Sequence, residues 1–356
     1  MQQPSVLDNE SLHAAAAGLL QAANMGGSFS LLQLPGGGNN RVFRVESNGN
    51  RTLLKAYFQH PEDRRDRLGA EFSFCSFAWD NGLRSLPRPL ARDVKNRLGL
   101  YEFIDGRKLL PEEIDERAIR QALTFFSEVN EYRHLPAAKG LPTASEAFFT
   151  LVDHLQCIED RLTLLRAIEC SSRINQEAAE FVRDQFGPAW GRIRACVERR
   201  ASALGLKLDA EIPREDRRLS PSDFGFHNAI LSTSGHLRFL DFEYAGWDDP
   251  AKMACDFFCQ VAIPIRADYF DMMVETVASV LSEPRPFRGR VALLMPVYRV
   301  KWCCIVLNEF VRVSGSRRRF AHVEIDPEEK KVIQLQKARR VLHSVTDERG
   351  IYHGLH

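Results

Sequence analysis

The chain carries almost no excess charge of either sign. Lys and Arg number 48 against 47 Asp and Glu, a formal net charge of +1. No long basic stripe runs through it, which excludes an electrostatic nucleic-acid binder. Its apolar runs read as too short to cross a bilayer, so no membrane partner is expected. Met1-Gln2-Gln3-Pro4 offers neither a charged leader nor an apolar core, and no signal peptide is expected. The eight cysteines lack metal-ligand spacing: Cys303 and Cys304 are adjacent, and Cys255 and Cys259 fall one helical turn apart. Together with Cys75 and Cys196, in apolar-periodic stretches, they read as buried reduced thiols, hence a reducing compartment and a cytoplasmic location. There is no internal repeat and no low-complexity tract. Oligomeric state is left open.

A chain of 356 residues that is 44% hydrophobic can bury a large core, and it divides most simply into two lobes. Asp8 is placed to cap a helix over residues 9–23, ended by Gly26-Gly27. Three antiparallel strands follow: Ser28 to Leu34, Arg41 to Val45, and Thr52 to Tyr57, with a tight turn at Asn48-Gly49-Asn50. Leu68, Phe72, Cys75 and Trp79 recur at helical spacing within residues 62–80. Strands at 90–94 and 98–104 complete the first lobe. Beyond Leu110 the pattern is largely helical, over 111–131, 144–168, 176–204 with a break near Gly187-Pro188, again from 250 through 295–312, and over 327–345. The fold class is therefore α+β. A small antiparallel sheet lobe, residues 1–103 with its leading helix at 8–24, sits on a mainly helical lobe, residues 104–356.

Ser222-Asp223-Phe224-Gly225-Phe226-His227-Asn228 is the stretch richest in chemistry. An apolar run, a turn at Ser232 to Gly235, and a second run ending in Asp241-Phe242-Glu243 come after it. The order loop carboxylate, amide, hairpin, carboxylate suits a metal-bound polyphosphate held beside a hydroxyl nucleophile. Asp223 would align or deprotonate the hydroxyl, while Asn228 and Asp241 are hard oxygen ligands for Mg2+. Asp and Asn are also common turn formers, so the order of the elements, rather than the pair alone, carries this reading. In the first lobe, Gly36, Gly37, Gly38, Asn39 and Asn40 make a glycine-rich turn whose N–H groups can approach phosphates. Lys55, at the end of an apolar strand, needs a partner, and Glu71 on the following helix is placed to be one.

These residues resemble the aminoglycoside phosphotransferase and choline kinase group of small-molecule kinases. The resemblance rests on the glycine turn, Lys55, Glu71, the hinge-like segment from Leu100 to Gly106, the loop at 221–228, and the segment from Asp241 to Pro250 followed by Asp256. It implies a two-lobed protein-kinase-like fold, with ATP and Mg2+ as cofactors. It further implies Asp223 as catalytic residue, Asn228 and Asp241 on the metal, and the backbone near Glu102 and Phe103 against the adenine. The expected activity is transfer of the γ-phosphoryl group to a hydroxyl of a small molecule. In one respect the chain departs from the family: Pro221 and Ser222 stand where a His-Gly pair is usual. No anchor of the Ala-Pro-Glu kind follows Asp241, which argues against a protein kinase. A non-catalytic nucleotide-binding scaffold is the alternative class.

The acceptor is less legible. Lys301, Asn308 and Arg312 fall on one face of an apolar helical stretch, where buried polar groups need partners. They either pair with acids such as Asp248 or Asp249, or line a pocket for a hydroxylated substrate. A choline pocket would want an aromatic cage, for which Tyr244, Trp247, Tyr298 and Trp302 are available. Arg317-Arg318-Arg319 has the wrong sign for a polycation, which puts a sugar-type acceptor ahead of an amine. Glu243 reads either as a residue supporting the metal site or substrate, or as a hairpin-end carboxylate facing water.

Overall fold

The computed structural model describes residues 7–35, 40–58, 63, 65–311 and 326–346. Helix α1 (Asn9–Ala22) begins at Asp8, whose carboxylate accepts the Ser11 N–H at 2.8 Å. A five-stranded antiparallel sheet follows, in the order β1-β2-β3-β5-β4, from β1 (Phe29–Gln33), β2 (Arg41–Ser47), β3 (Asn50–Ala56), β4 (Pro89–Asp93) and β5 (Leu98–Glu102). The β2–β3 turn has both Asn48 and Gly49 at positive φ, 51° and 78°, the backbone that a right-twisted two-residue hairpin demands. One face of the sheet packs on α1 through Leu12, Leu19, Leu20, Val45, Leu54 and Leu98.

Helix α2 (Arg67–Asp80) packs elsewhere, its Phe74 and Cys75 joining the main core. It starts later than the periodicity predicts, because the Asp66 side chain caps it by accepting from Gly69 N–H. The two-residue strand β6 (Gly106–Arg107) leads into the helical lobe: α3 (Glu116–Glu131), α4 (Pro136–Lys139), α5 (Leu151–Arg166), α6 (Arg173–Phe181) and α7 (Gly187–Ala203). The break expected near Gly187-Pro188 is a π-helical turn at Val182–Phe186. Pro188 has no N–H to continue the regular ladder, and the wider turn absorbs the mismatch. The expected helix at 144–168 is shorter than read, since the chain stays irregular until Thr150 caps α5.

Strand β7 (Arg218–Ser220) precedes the loop of interest, and the hairpin β8 (Ala229–Ser232) and β9 (Leu237–Phe239) follows it as expected. Strand β10 (Gly246–Asp248) pairs antiparallel with β7, and α8 (Pro250–Cys259) and α9 (Phe270–Ala278) come next. The long α10 (Pro284–Leu307) lies within the helical stretch expected from residue 250 onward and passes through Pro296. The C-terminal α11 (Pro327–Thr346) packs on it.

Two expectations need correction. Pro284–Phe310 runs for 27 residues and contains an 18-residue window with a mean hydropathy of 1.4, long and apolar enough to cross a membrane by length and composition. The helix is instead the core of the second lobe, with 67% of that window buried and α5, α7, α8 and α11 against it. Nor are all the thiols buried: Cys75, Cys255, Cys259, Cys303 and Cys304 are, but Cys196, expected among them, is only half-buried, as is Cys157, and Cys170 is exposed.

Candidate active site

Alternation shapes the loop between β7 and β8. Phe224 and Phe226 point into the core, where Phe224 meets Phe125, Phe239 and Phe257 and Phe226 meets Phe257. Asp223 keeps 33% of its side chain exposed and His227 keeps 17%. From α3, Asn130 fastens β7 by exchanging two 2.9 Å hydrogen bonds with the backbone of Leu219. The pairing of β10 with β7 then lays the Asp241 segment beside the loop. Leu240 N–H donates to Asn228 C=O at 2.8 Å, which fixes the distance between the two residues proposed as metal ligands.

Within the loop, Asn228 Nδ2 donates to Asp223 C=O at 3.0 Å and to its carboxylate at 3.3 Å. With Nδ2 engaged in this way, the amide oxygen of Asn228 is the atom that could bind a cation. His227 Nε2 lies 3.2 Å from Asp223 Oδ1, a contact the sequence reading did not use, although an Asp and a His four apart were in plain view. Burial pushes the Asp223 carboxyl up, but the hydrogen bonds from His227 and Asn228 outweigh it and hold the pKa below the usual range.

Lys55 and Glu71 meet as expected, Nζ to Oε2 at 2.6 Å, both buried. Lys55 also touches Asp241. Desolvation opposes the ammonium, but Asp241, Glu71 and Glu243 overcome it and raise the Lys55 pKa. Tyr57 OH donates to Glu71 at 2.7 Å and meets Tyr101 OH at the same distance. The Tyr101 ring can lie there only because Gly99 has no side chain: a Cβ would come within 2.6 Å of it. Asp241 has its backbone at φ 66° and its carboxylate 38% exposed, while the next residue, Phe242, is buried and stacks on Phe74 at 5.0 Å.

Glu243 is not the water-facing carboxylate that one reading allowed. It is 2% exposed and accepts from Arg67 at 2.6 Å and from the side chain of Asn40. Asn40 also accepts from Phe58 N–H at 3.1 Å, so its side chain ties the end of the glycine-rich turn to Glu243. Arg67 reaches Tyr244 OH and Asp63, both at 2.8 Å. Nothing in the sequence pattern singled out Arg67 or Asp63. Gly36, Gly37, Gly38 and Asn39 lie outside the described residues, as do Arg312 and Arg317 to Arg319.

At the hinge, Glu102 N–H donates to Arg88 C=O at 2.8 Å, and its carboxylate holds Arg88 N–H and Arg238. With that N–H engaged, an adenine edge would have to meet other backbone groups of the segment. Phe103 lies under the Arg51 guanidinium, at 5.5 Å from the ring centre.

Lys301 pairs with acids, though not the ones expected. Its ammonium lies 3.2 Å from Asp256, 3.5 Å from Glu146 and 4.7 Å above the Tyr298 ring. Asp248 is held by Lys252, and Asp249 by Arg290 and His154. Asn308 ends α10, its backbone C=O accepting from Val311 N–H. Among the described residues, no group of three or more His, Cys, Asp or Glu side chains forms a metal centre. The donor set at Asn228 and Asp241 fits magnesium, which takes few protein oxygens and completes its shell with phosphate and water.

The profile of the phosphotransferase enzyme family matches residues 30–279. Similar solved structures include an ethanolamine kinase from Plasmodium vivax, at 13% identity and TM-score 0.55, covering 97% of this chain and 93% of that one. A choline kinase from Streptococcus pneumoniae aligns at 14% identity and TM-score 0.55, over 93% and 98% of the two chains. A spectinomycin phosphotransferase in complex with ADP and spectinomycin aligns at 11% identity and TM-score 0.55, over 91% and 98%. At these identities the likeness establishes the two-lobed kinase-like fold. No curated protein sequence matches the chain.

Proposed function

From the premise that the chain belongs to the phosphotransferase enzyme family, we propose that it transfers the γ-phosphoryl group of ATP to a hydroxyl of a small molecule. The observation that carries this is the single chain of contacts from Glu71 through Lys55 to Asp241, tied by the Leu240–Asn228 bond to the Asp223 loop. In this reading residues 1–103 bind the nucleotide and residues 104–356 carry the chemistry, in the cytoplasm where ATP is available.

Lys55 holds the phosphates, its ammonium kept charged by surrounding carboxylates. Asn228 and Asp241 would hold Mg2+, which offsets charge on the phosphates when bound. Asp223 receives the acceptor hydroxyl. Its pKa is held low, so it is a weak base that aligns the hydroxyl and takes the proton late. This suits a loose phosphoryl-transfer transition state, where positioning supplies most of the rate.

For the acceptor, a neutral or anionic polyol such as a sugar leads. The carboxylate and aromatic groups that could cradle an ammonium, Asp256, Glu146 and Tyr298, already hold the ammonium of Lys301. An amino-alcohol acceptor is the second reading. It is favoured by Trp302, which is half-buried beside Asp256 with Nε1 donating to it at 3.0 Å.

The test is a transfer screen with MgATP over sugars, amino alcohols and aminoglycosides, on wild type and Asp223→Asn. The variant should bind MgATP as wild type does and lose about 10²- to 10⁴-fold in kcat. Undiminished turnover would remove Asp223 from the mechanism. MgATP binding by wild type without transfer to any acceptor would favour the scaffold alternative.

A further inference from the structure

Directly before Asp223 the backbone makes a turn that few side chains tolerate. Asp223 N–H donates to Pro221 C=O at 3.0 Å, closing a three-residue turn, and the central residue, Ser222, has φ 68°. That is the rarer and more strained hand of the γ-turn, and a Cβ at this φ is crowded where glycine would not be. Strain of this kind persists only when the surroundings over-determine it.

The Ser222 hydroxyl is bound on two sides. It donates to Ser145 C=O at 3.2 Å and accepts from Lys252 Nζ at 3.2 Å, while Ser222 N–H is held by Ser220 Oγ at 3.0 Å. Lys252, on α8, is fully buried, and its ammonium is fixed by Asp248 at 2.6 Å and Asp256 at 3.5 Å. A charge with no access to water cannot drift without losing these partners. Lys252 is therefore a rigid post against which the hydroxyl of Ser222 is braced. The same Asp256 holds Lys301, and Ser145 adjoins Glu146, so the post shares its anchors with the groups discussed as the acceptor region.

We propose that Ser222 and Lys252 form a positioning pair. Their hydrogen bond holds the strained turn and so fixes the direction in which Asp223 presents its carboxylate to the acceptor. The proposal rests on the phosphotransfer reading for its functional consequence, though not for its structural one. Both side chains are buried, so their part is to position Asp223 and not to bind the acceptor.

Ser222→Gly separates this role from simple support of the fold, because glycine relaxes the turn while removing the hydroxyl. The melting temperature is expected to hold or rise. Hydrogen exchange of the 222–228 amides should accelerate, and kcat should fall by about tenfold to a hundredfold, with the KM for ATP within about twofold of wild type. Ser222→Ala, which keeps the crowded Cβ and loses both bonds, should lose stability as well as kcat. Lys252→Met would destabilise the lobe under any reading, so it serves only as a check that the loop exchange follows. Loop exchange and kcat unchanged in Ser222→Gly would overturn the proposal. If wild type transfers phosphate to nothing, the functional reading falls, while the exchange of the loop amides still decides whether the pair sets the turn.

Discussion

Removing the Arg67 guanidinium, as in Arg67→Met, is expected to be among the most damaging single changes at the lobe junction. The side chains of Arg67 and Glu243 are 1% and 0% exposed, and they meet at 2.6 Å across 176 positions of sequence. Without Arg67, Glu243 keeps the Asn40 amide but is left as a buried carboxylate without its guanidinium. Breaking a buried pair from one side costs about 3–5 kcal/mol, whereas removing both partners costs far less. With an unfolding entropy of about 2.1 cal/mol/K per residue, 356 residues give roughly 0.75 kcal/mol/K. A loss of about 4 kcal/mol then lowers Tm by about 5 °C. The assay is a double-mutant cycle of Arg67→Met and Glu243→Gln by thermal and denaturant unfolding. Asp63 adds little to the loss, because Arg65 still holds it at 2.6 Å. The double variant should be more stable than Arg67→Met, with a coupling of about 2 kcal/mol or more. Additive losses would refute the reasoning, since they would mean that the two side chains do not share one buried interaction.

Two further outcomes follow from the same geometry. Asp241→Ala should weaken MgATP binding by at least about tenfold and remove most of its dependence on magnesium, as read by calorimetric titration with and without the metal; binding indifferent to both would dismiss Asp241 as a ligand. Glu146 should contribute to acid sensitivity. Burial raises its pKa, but Arg161, Lys301 and Lys252 outweigh this and lower it from 4.5 to about 2. A depressed carboxylate stabilises the fold fully above its unfolded pKa and loses that contribution as pH falls toward the folded one. The Tm difference between wild type and Glu146→Gln should therefore be largest above pH 4.5 and shrink toward pH 2; a gap constant across that window would contradict the assignment.

Which parts of this were legible in the chain depends on the range of the forces involved. Local rules wrote the Asp8 cap, the Asn48-Gly49 turn, the β8–β9 hairpin and the period of α2, because each is decided by residues within a few positions of one another. The order of Lys55, Glu71, Asp223, Asn228 and Asp241 was equally plain, because it is read directly along the chain. The division of the helical stretch after residue 250 into separate helices was not legible, because Pro284 and Pro286 open a helix as readily as they end one.

Tertiary structure decided what each charge faces. Sequence shows that Glu243 is an acid near a hairpin end. Only folding brings Arg67 and Asn40 from the other lobe to bury it. It was equally silent on Lys301 choosing Asp256 and Glu146 over Asp248 and Asp249, because Lys252, one turn along α8, claims Asp248, and Arg290 claims Asp249. The strained turn at Ser222 and its buried post at Lys252 have no local signature at all. The chain by itself determined which groups are available and in what order. Packing determined their partners, because the energy of a charge out of water depends on what lies within a few ångströms of it, and that neighbourhood is assembled from distant parts of the sequence.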